Sequence, residues 1–200
     1  MAVPVFPADR EAKRRALLSA VEDVREVVSA GAEEGEAIGT LPQASVDAIY
    51  NAGLFAIKLP TELGGSEADP MTQFEVIEAL SRIEPSVGWC VMIGSSSIGQ
   101  PGAFLSDEAI EVIFAGGRVP TGAAAVAPGG NAVPVEGGYI VNGRWSFASG
   151  IPHAEWVRGG ALVEREGDEA SRHIVAIMPA SKVHIHDNWH VMGLRSTGSN

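Results

Sequence analysis

Apolar residues recur at three- and four-residue spacing through the first half of the chain. From Asp9 to about Gly31 the stripe is Leu17, Val21, Val24 and Val28, which predicts an amphipathic helix. Pro42 suits a first helical turn, and Val46, Ile49 and Tyr50 follow towards a stop at Gly53. Leu54 to Pro60 reads as a short apolar extended run ending in the turn residues Gly64-Gly65. Asp69-Pro70 opens a strong helix, with Asp as cap, Pro at the first position and Phe74, Ile77, Leu80 and Ile83 as its stripe. Ser86 can cap another helix through Trp89 and Met92 towards Ile98. Ser106-Asp107-Glu108 opens a last one, its two acids favouring the N-terminal dipole and Gly116-Gly117 closing it.

Past Arg118 the period changes. Val133-Pro134-Val135 and Tyr139-Ile140-Val141 flank Glu136-Gly137-Gly138, a hairpin signal. Asn142-Gly143 reads as a second turn leading into Arg144-Trp145-Ser146-Phe147. Trp156 to Val163, His173 to Met178 and Lys182 to His186 read as further strands, with a polar loop from Glu164 to Ser171. The pattern predicts an α+β protein: an all-helical domain over residues 1–118, then a β-barrel or sandwich over 119–200. The chain ends in the glycine-rich Gly193-Leu194-Arg195-Ser196-Thr197-Gly198-Ser199-Asn200, which would leave a barrel edge unpaired. The expectation is therefore a truncated β domain in a chain cut short.

Composition narrows the function classes. The formal charge is −11 and the pI about 4.8, the wrong sign for gripping nucleic acid or an anionic membrane. No apolar stretch is long enough to span a bilayer. The start Met1-Ala2-Val3-Pro4-Val5-Phe6-Pro7 lacks the cationic segment and apolar run of a signal peptide, so the expected compartment is the cytoplasm. One cysteine, Cys90, excludes an intrachain disulfide framework. It lies beside Trp89 in an apolar helix, which favours a buried, inert thiol, with Trp89 itself in the core.

Generic motifs add little. The chain has no G-x-G-x-x-G, no P-loop and no G-x-S-x-G elbow. His184-x-His186 places two imidazoles on one face of a strand with His190 close behind. That is either a three-histidine metal site or an exposed strand edge, and the edge is favoured, so no metal is expected.

Four segments in order carry a resemblance. They are Leu54-Phe55-Ala56-Ile57-Lys58-Leu59-Pro60 with Glu62-Leu63-Gly64-Gly65; Glu84-Pro85-Ser86-Val87-Gly88-Trp89; the run from Gly137 to Gly150; and Gly193 to Ser199. Together they resemble the acyl-CoA dehydrogenase superfamily, in particular its flavin-dependent monooxygenase branch, the oxygenase components of two-component hydroxylases. Val126-Ala127-Pro128-Gly129-Gly130-Asn131 and Phe147-Ala148-Ser149-Gly150 look like that branch rather than the dehydrogenases. Ser95-Ser96-Ser97 stands where several hydroxylases carry a histidine, which departs from a phenol-specific pattern.

The resemblance implies a reduced flavin, FAD or FMN, reacting with oxygen to hydroxylate a small aromatic or heterocyclic substrate. The protein's part is then positioning and exclusion of water, since a wet site releases hydrogen peroxide. It implies Ser149 as the catalytic hydroxyl near flavin N5, with Phe147 and Ala148 under the ring; the plain alternative is a β-turn. Trp145, expected on the same strand face as Phe147, either packs beneath the flavin or fills the barrel. Thr197 and Ser199 either hydrogen-bond the flavin phosphate or ribityl chain, or serve a turn. The implied partners are a flavin reductase, or an electron-transfer flavoprotein if the protein is instead an acyl-CoA dehydrogenase or oxidase, and further copies of itself in a homotetramer. A third reading is a non-catalytic truncated module. The family's catalytic base lies in a C-terminal helical bundle that this sequence does not include.

Overall fold

Asp9 caps helix α1 (Arg10–Ala30), accepting from the Ala12 amide at 2.8 Å. Leu17, Val21, Val24 and Val28 are all buried along it, as the periodicity predicts. Residues 4–163 and 171–200 are described by this structure, a computed structural model. Of the loop expected from Glu164 to Ser171, residues 164–170 lie outside the described residues, as do the first three residues of the chain. A helix that the pattern did not predict, α2 (Ala32–Ile38), follows directly. Its three glutamates leave no apolar stripe, and its one buried residue is Gly35, against Ser196. Helix α3 (Gln43–Asn51) follows, with Pro42 as its N-cap rather than inside its first turn.

Leu54 to Pro60 is not extended. Leu54–Ala56 forms a 3-10 turn, and the segment is buried with local three-residue bonds such as Leu59 N–H to the Ala56 carbonyl. The Ala56, Ile57 and Leu59 carbonyls accept from the Ser66, Ala68 and Glu67 amides, so these buried groups find partners without a neighbouring strand. Helix α4 (Pro70–Ile83) begins as expected, with Asp69 accepting from the Thr72 hydroxyl at 2.6 Å. Its buried line is Thr72, Val76 and Leu80, while Phe74 is 67% exposed, so the expected stripe is rotated.

Helix α5 (Pro85–Phe104) is capped by the Glu84 carboxylate, which accepts from the Ser86 amide at 2.9 Å; Ser86 is not the cap. It runs past Ile98 and through Pro101. This helix is apolar all round because it is packed on two sides. Val87, Cys90 and Val91 join the helical core, while Ile98 packs with Ala56, Leu59 and Val119 next to the sheet. A short α6 (Asp107–Ile113), with Ser106 as N-cap, completes the helical part.

The remainder is one four-stranded sheet in the order β2-β1-β3-β4. The hairpin of β1 (Gly122–Val135) and β2 (Gly138–Gly143) forms where predicted, with Asn142 and Gly143 inside β2 rather than in a turn. Strand β3 (Trp156–Val163) runs parallel to β1, and β4 (Arg172–Pro179) pairs antiparallel with β3. Lys182 to His186 is not a strand; a 3-10 turn over Ala180–Lys182 leads into irregular chain. The helix-then-sheet α+β architecture is as expected. None of the described helices is long and apolar enough to cross a membrane.

Candidate functional site

Three segments meet at one junction: α5 at Trp89 and Cys90, the turn after Ser146, and the last eight residues. Gly150 N–H donates to the Thr197 carbonyl at 2.8 Å and Ala148 N–H to the Asn200 carbonyl at 3.2 Å, which ties the two turns together. Both turns rely on left-handed backbone. Gly150 and Gly198 supply it without strain, but Phe147 (φ 67°) and Leu194 (φ 54°) are side-chain-bearing residues held there. Residues 144–148 are irregular, so the strand alternation expected to put Trp145 and Phe147 on one face does not apply.

A line of hydrogen bonds crosses the junction. Trp89 Nε1 lies 2.8 Å from Ser149 Oγ, Ser149 Oγ 2.7 Å from Ser199 Oγ, Ser199 Oγ 2.7 Å from Thr197 Oγ1, and Thr197 Oγ1 2.8 Å from the Leu194 carbonyl. Indole can only donate and a carbonyl can only accept, so every proton is assigned. Thr197 donates to Leu194, Ser199 to Thr197, and Ser149 to Ser199. The line is polarised in one direction. Ser149 and Thr197 are buried, at 4% and 1% exposure, and Ser199 is buried as well. Trp89, expected in the core, is 41% exposed and anchors one end. Cys90 behaves as expected: it is buried, its thiol points at the Thr197 carbonyl, and burial pushes its pKa up to about 12.

Beside this junction opens a cavity of about 550 Å³, within the range of small-molecule sites. Trp145, Phe147, Ala148 and Ser199 line it, whereas Ser149 and Thr197 sit behind the wall. Trp145 fills a slot in the sheet as well as facing the cavity: a Cβ on Gly129, Gly130, Gly143 or Gly159 would lie within 2.9 Å of its indole, and Nε1 donates to the Gly160 carbonyl at 2.7 Å. Phe147 is 70% exposed and meets Trp189 edge-on at 6.0 Å. The sequence reading missed Trp189 and Asn200. Asn200 Oδ1 accepts from the Asn188 and Trp189 amides, both at 3.1 Å, and so holds that aromatic wall. The signal available was a lone tryptophan in the polar run Asp187 to His190.

His184 and His186 do meet, their rings edge-to-face at 4.7 Å, and His190 lines the same cavity. Among the described residues no group of three or more His, Cys, Asp or Glu is placed to hold a metal ion. The aromatic walls, the Ser199 hydroxyl and the backbone of the 144–148 segment suit a flat heteroaromatic ligand that also forms hydrogen bonds.

The acyl-CoA dehydrogenase N-terminal domain model matches residues 11–109. The oxygenase subunit HsaA of a flavin-dependent monooxygenase from Mycobacterium tuberculosis is 32% identical over 189 residues, covering 93% of this chain and 47% of that protein. The crystal structure of that HsaA superposes with a TM-score of 0.86 at 31% identity, over 94% of this chain and 48% of the other. The chain belongs to the acyl-CoA dehydrogenase superfamily, on the side of its flavin-dependent monooxygenases. Indole-3-acetate monooxygenase from Pseudomonas putida is 31% identical over 77% of this chain and 39% of its own length. XiaF from Streptomyces sp., solved with FADH2 and glycerol, superposes with a TM-score of 0.85 at 30% identity, over 93% of this chain and 47% of XiaF. The chain thus spans about half the length of the curated relatives it matches.

Proposed function

We propose that the protein is the oxygenase component of a two-component monooxygenase that hydroxylates a small aromatic or heterocyclic substrate with reduced flavin and oxygen. The reduced flavin, FMN or FAD, would come from a separate flavin reductase. In this reading residues 1–118 form the helical domain and 119–200 the β domain. The observation that carries it is the aromatic-walled cavity closed by the Phe147–Ser149 turn, in a chain whose relatives are monooxygenase oxygenase subunits. A bound reduced flavin supplies the electrons and activates oxygen.

The chain's own residues would hold and shield that group. Trp145, Phe147 and Trp189 present flat apolar surface and exclude water, which suppresses loss of oxidant as peroxide. Ser199, which lines the cavity, would supply the hydrogen-bonding edge at flavin N5, with Ser149 behind it orienting its hydroxyl. Its proton is already committed to Thr197 along the one-way line from Trp89 to Leu194, so it presents a lone pair. Reduced flavin carries a proton at N5 and oxidised flavin does not; an accepting edge therefore favours the reduced form. Thr197 contributes by fixing that direction.

The test uses the full-length protein. Reduced FMN and reduced FAD are titrated anaerobically, then oxygen is admitted with a panel of phenols and indoles. Tight binding of a reduced flavin and oxygen-dependent hydroxylation are expected. Failure of both flavins to bind, or bleaching of bound oxidised FAD by an acyl-CoA, would overturn the reading, the latter in favour of a dehydrogenase.

A further inference from the structure

Two half-buried cations converge on one serine of α5. The Lys58 ammonium donates to Ser96 Oγ at 2.6 Å and to the Met92 carbonyl at 3.2 Å. Arg158 Nη1, from β3, donates to the Ser96 carbonyl at 3.2 Å. Among the described residues Arg10, Arg14, Arg25, Arg82 and Arg118 each pair with a carboxylate, and neither Lys58 nor Arg158 does. What sets these two apart is that both are half-buried and meet at the same residue.

The donor inventory is left open. An ammonium has three N–H groups and a guanidinium five; here two and one of them are used. Burial lowers the pKa of both groups, with no nearby acid opposing it. Such cations are costly unless an anion compensates them, and an arginine fork beside an ammonium matches a carboxylate. Arg158 lines the 550 Å³ cavity, and Lys58 stands behind it on the other side of Ser96. Ser96 lies seven residues beyond Trp89 on α5, so the pair sits about 10 Å along the helix from the Ser149 junction. That is the span of a small aromatic acid. Close packing fixes Lys58 there: a Cβ on Gly99 would lie 2.9 Å from the Lys58 Cβ.

We propose that Lys58 and Arg158, both anchored on Ser96, seat the acid group of the organic substrate, so that the protein acts on an aromatic or heterocyclic acid. This rests on the monooxygenase reading above. The experiment measures binding of indole-3-acetate and its neutral amide to the full-length protein by calorimetry, with reduced FMN and FAD titrated in parallel. Wild type should prefer the acid at least tenfold, and the preference should shrink at high salt. Lys58→Met keeps the aliphatic stem, and Arg158→Lys keeps charge but loses the fork. Each should weaken acid binding roughly tenfold and leave the amide and both flavins unchanged.

Three results would overturn the seat: no acid preference in wild type, including failure of both probes to bind; unchanged acid binding in both variants; or loss of flavin binding instead, which would assign the cations to a cofactor phosphate. If the variants do not fold, the wild-type preference and its salt dependence decide. Acid preference with no flavin binding would remove the monooxygenase reading while leaving the anion seat in place.

Discussion

Trp89 donates its indole N–H to the buried Ser149 hydroxyl, with Nε1 and Oγ 2.8 Å apart across a sequence separation of sixty residues. The bond joins helix α5 to the turn beside the cavity; the direction of the protons beyond it is set from the other end, where the Leu194 carbonyl takes the Thr197 proton. It also changes what Ser149 is expected to do. As an exposed turn serine it would lose one hydrogen bond on substitution. As the second member of a buried line, it has a donor on one side and an acceptor on the other.

Ser149→Ala should therefore lower stability by about 1–3 kcal/mol, the range for leaving buried polar partners unsatisfied. In the full-length enzyme it should also release more hydrogen peroxide per product. Ser146→Ala is the control, because Ser146 is exposed and takes no part in the buried line. Denaturant unfolding and the ratio of peroxide to product check both. Identical behaviour of the two variants would reduce Ser149 to a turn residue.

Thr197→Val tests the direction of the line without touching the cavity wall. It removes the acceptor that holds the Ser199 proton, freeing Ser199 to donate towards the cavity. Wild type should bind reduced flavin more tightly than oxidised flavin, and Thr197→Val should narrow that ratio by roughly two- to tenfold, the worth of one hydrogen bond. Parallel titrations with both redox states measure it. An unchanged ratio would mean that the hydroxyl line does not face N5.

Cys90 provides a pH signature. Burial raises its thiol from an ordinary 9.0 to about 12, so the folded chain holds that proton more tightly than the unfolded chain. The associated stability is present below pH 9 and is lost as pH rises towards 12. Three units correspond to about 4 kcal/mol. Stability should fall more steeply over this window in wild type than in Cys90→Ala, as followed by urea unfolding at each pH. At pH 8 a thiol reagent should react only as fast as the protein opens.

What was legible in the sequence was what local physics decides. The α1 stripe, the Asp69 cap and the β1–β2 hairpin follow from spacing and turn chemistry, and they formed as expected. Leu54 to Pro60 misled because an apolar run buries equally well as a 3-10 turn when its carbonyls find Ser66 to Ala68. Trp89 misled for a different reason. A tryptophan in an apolar helix favours the core, but α5 is packed on two sides and leaves a third face open. The hydroxyl line was illegible because its members come from three distant segments and no periodicity links them. The resemblance singled out Ser149, Thr197 and Ser199; that their hydroxyls form one line follows only from the fold.

Gly159 is one of the four glycines with which the sheet makes room for Trp145 in the cavity wall. A Cβ there would lie 2.9 Å from the Trp145 indole. Gly159→Val should push that ring from its slot, break its bond to the Gly160 carbonyl and narrow the cavity, weakening flavin binding more than tenfold. The overpacking should cost about 1–3 kcal/mol in stability. Replacing Trp145 with Leu in the same background should recover most of the stability but not the binding. Normal flavin affinity in Gly159→Val would show that Trp145 only fills the sheet.

Phe147 tests whether backbone strain at the cavity mouth serves the site. Its φ of 67° is one that a side-chain-bearing residue occupies at a cost of about 1–2 kcal/mol, and its ring is largely exposed, so burial does not offset that cost. Phe147→Ala and Phe147→Gly both remove the ring and its edge contact with Trp189, so a comparison of the two isolates the backbone. Glycine relieves the strain but gains freedom in the unfolded chain, worth about 0.4–1 kcal/mol the other way. The glycine variant should still be the more stable by up to about 1 kcal/mol in thermal unfolding. Both variants should bind reduced flavin more weakly than wild type and to the same extent, because both lose the aromatic wall. If instead the glycine variant binds flavin more weakly than the alanine variant, the held backbone itself pre-forms the cavity, and strain at Phe147 is part of the site. Equal stability of the two would mean that the left-handed turn at Phe147 carries no strain.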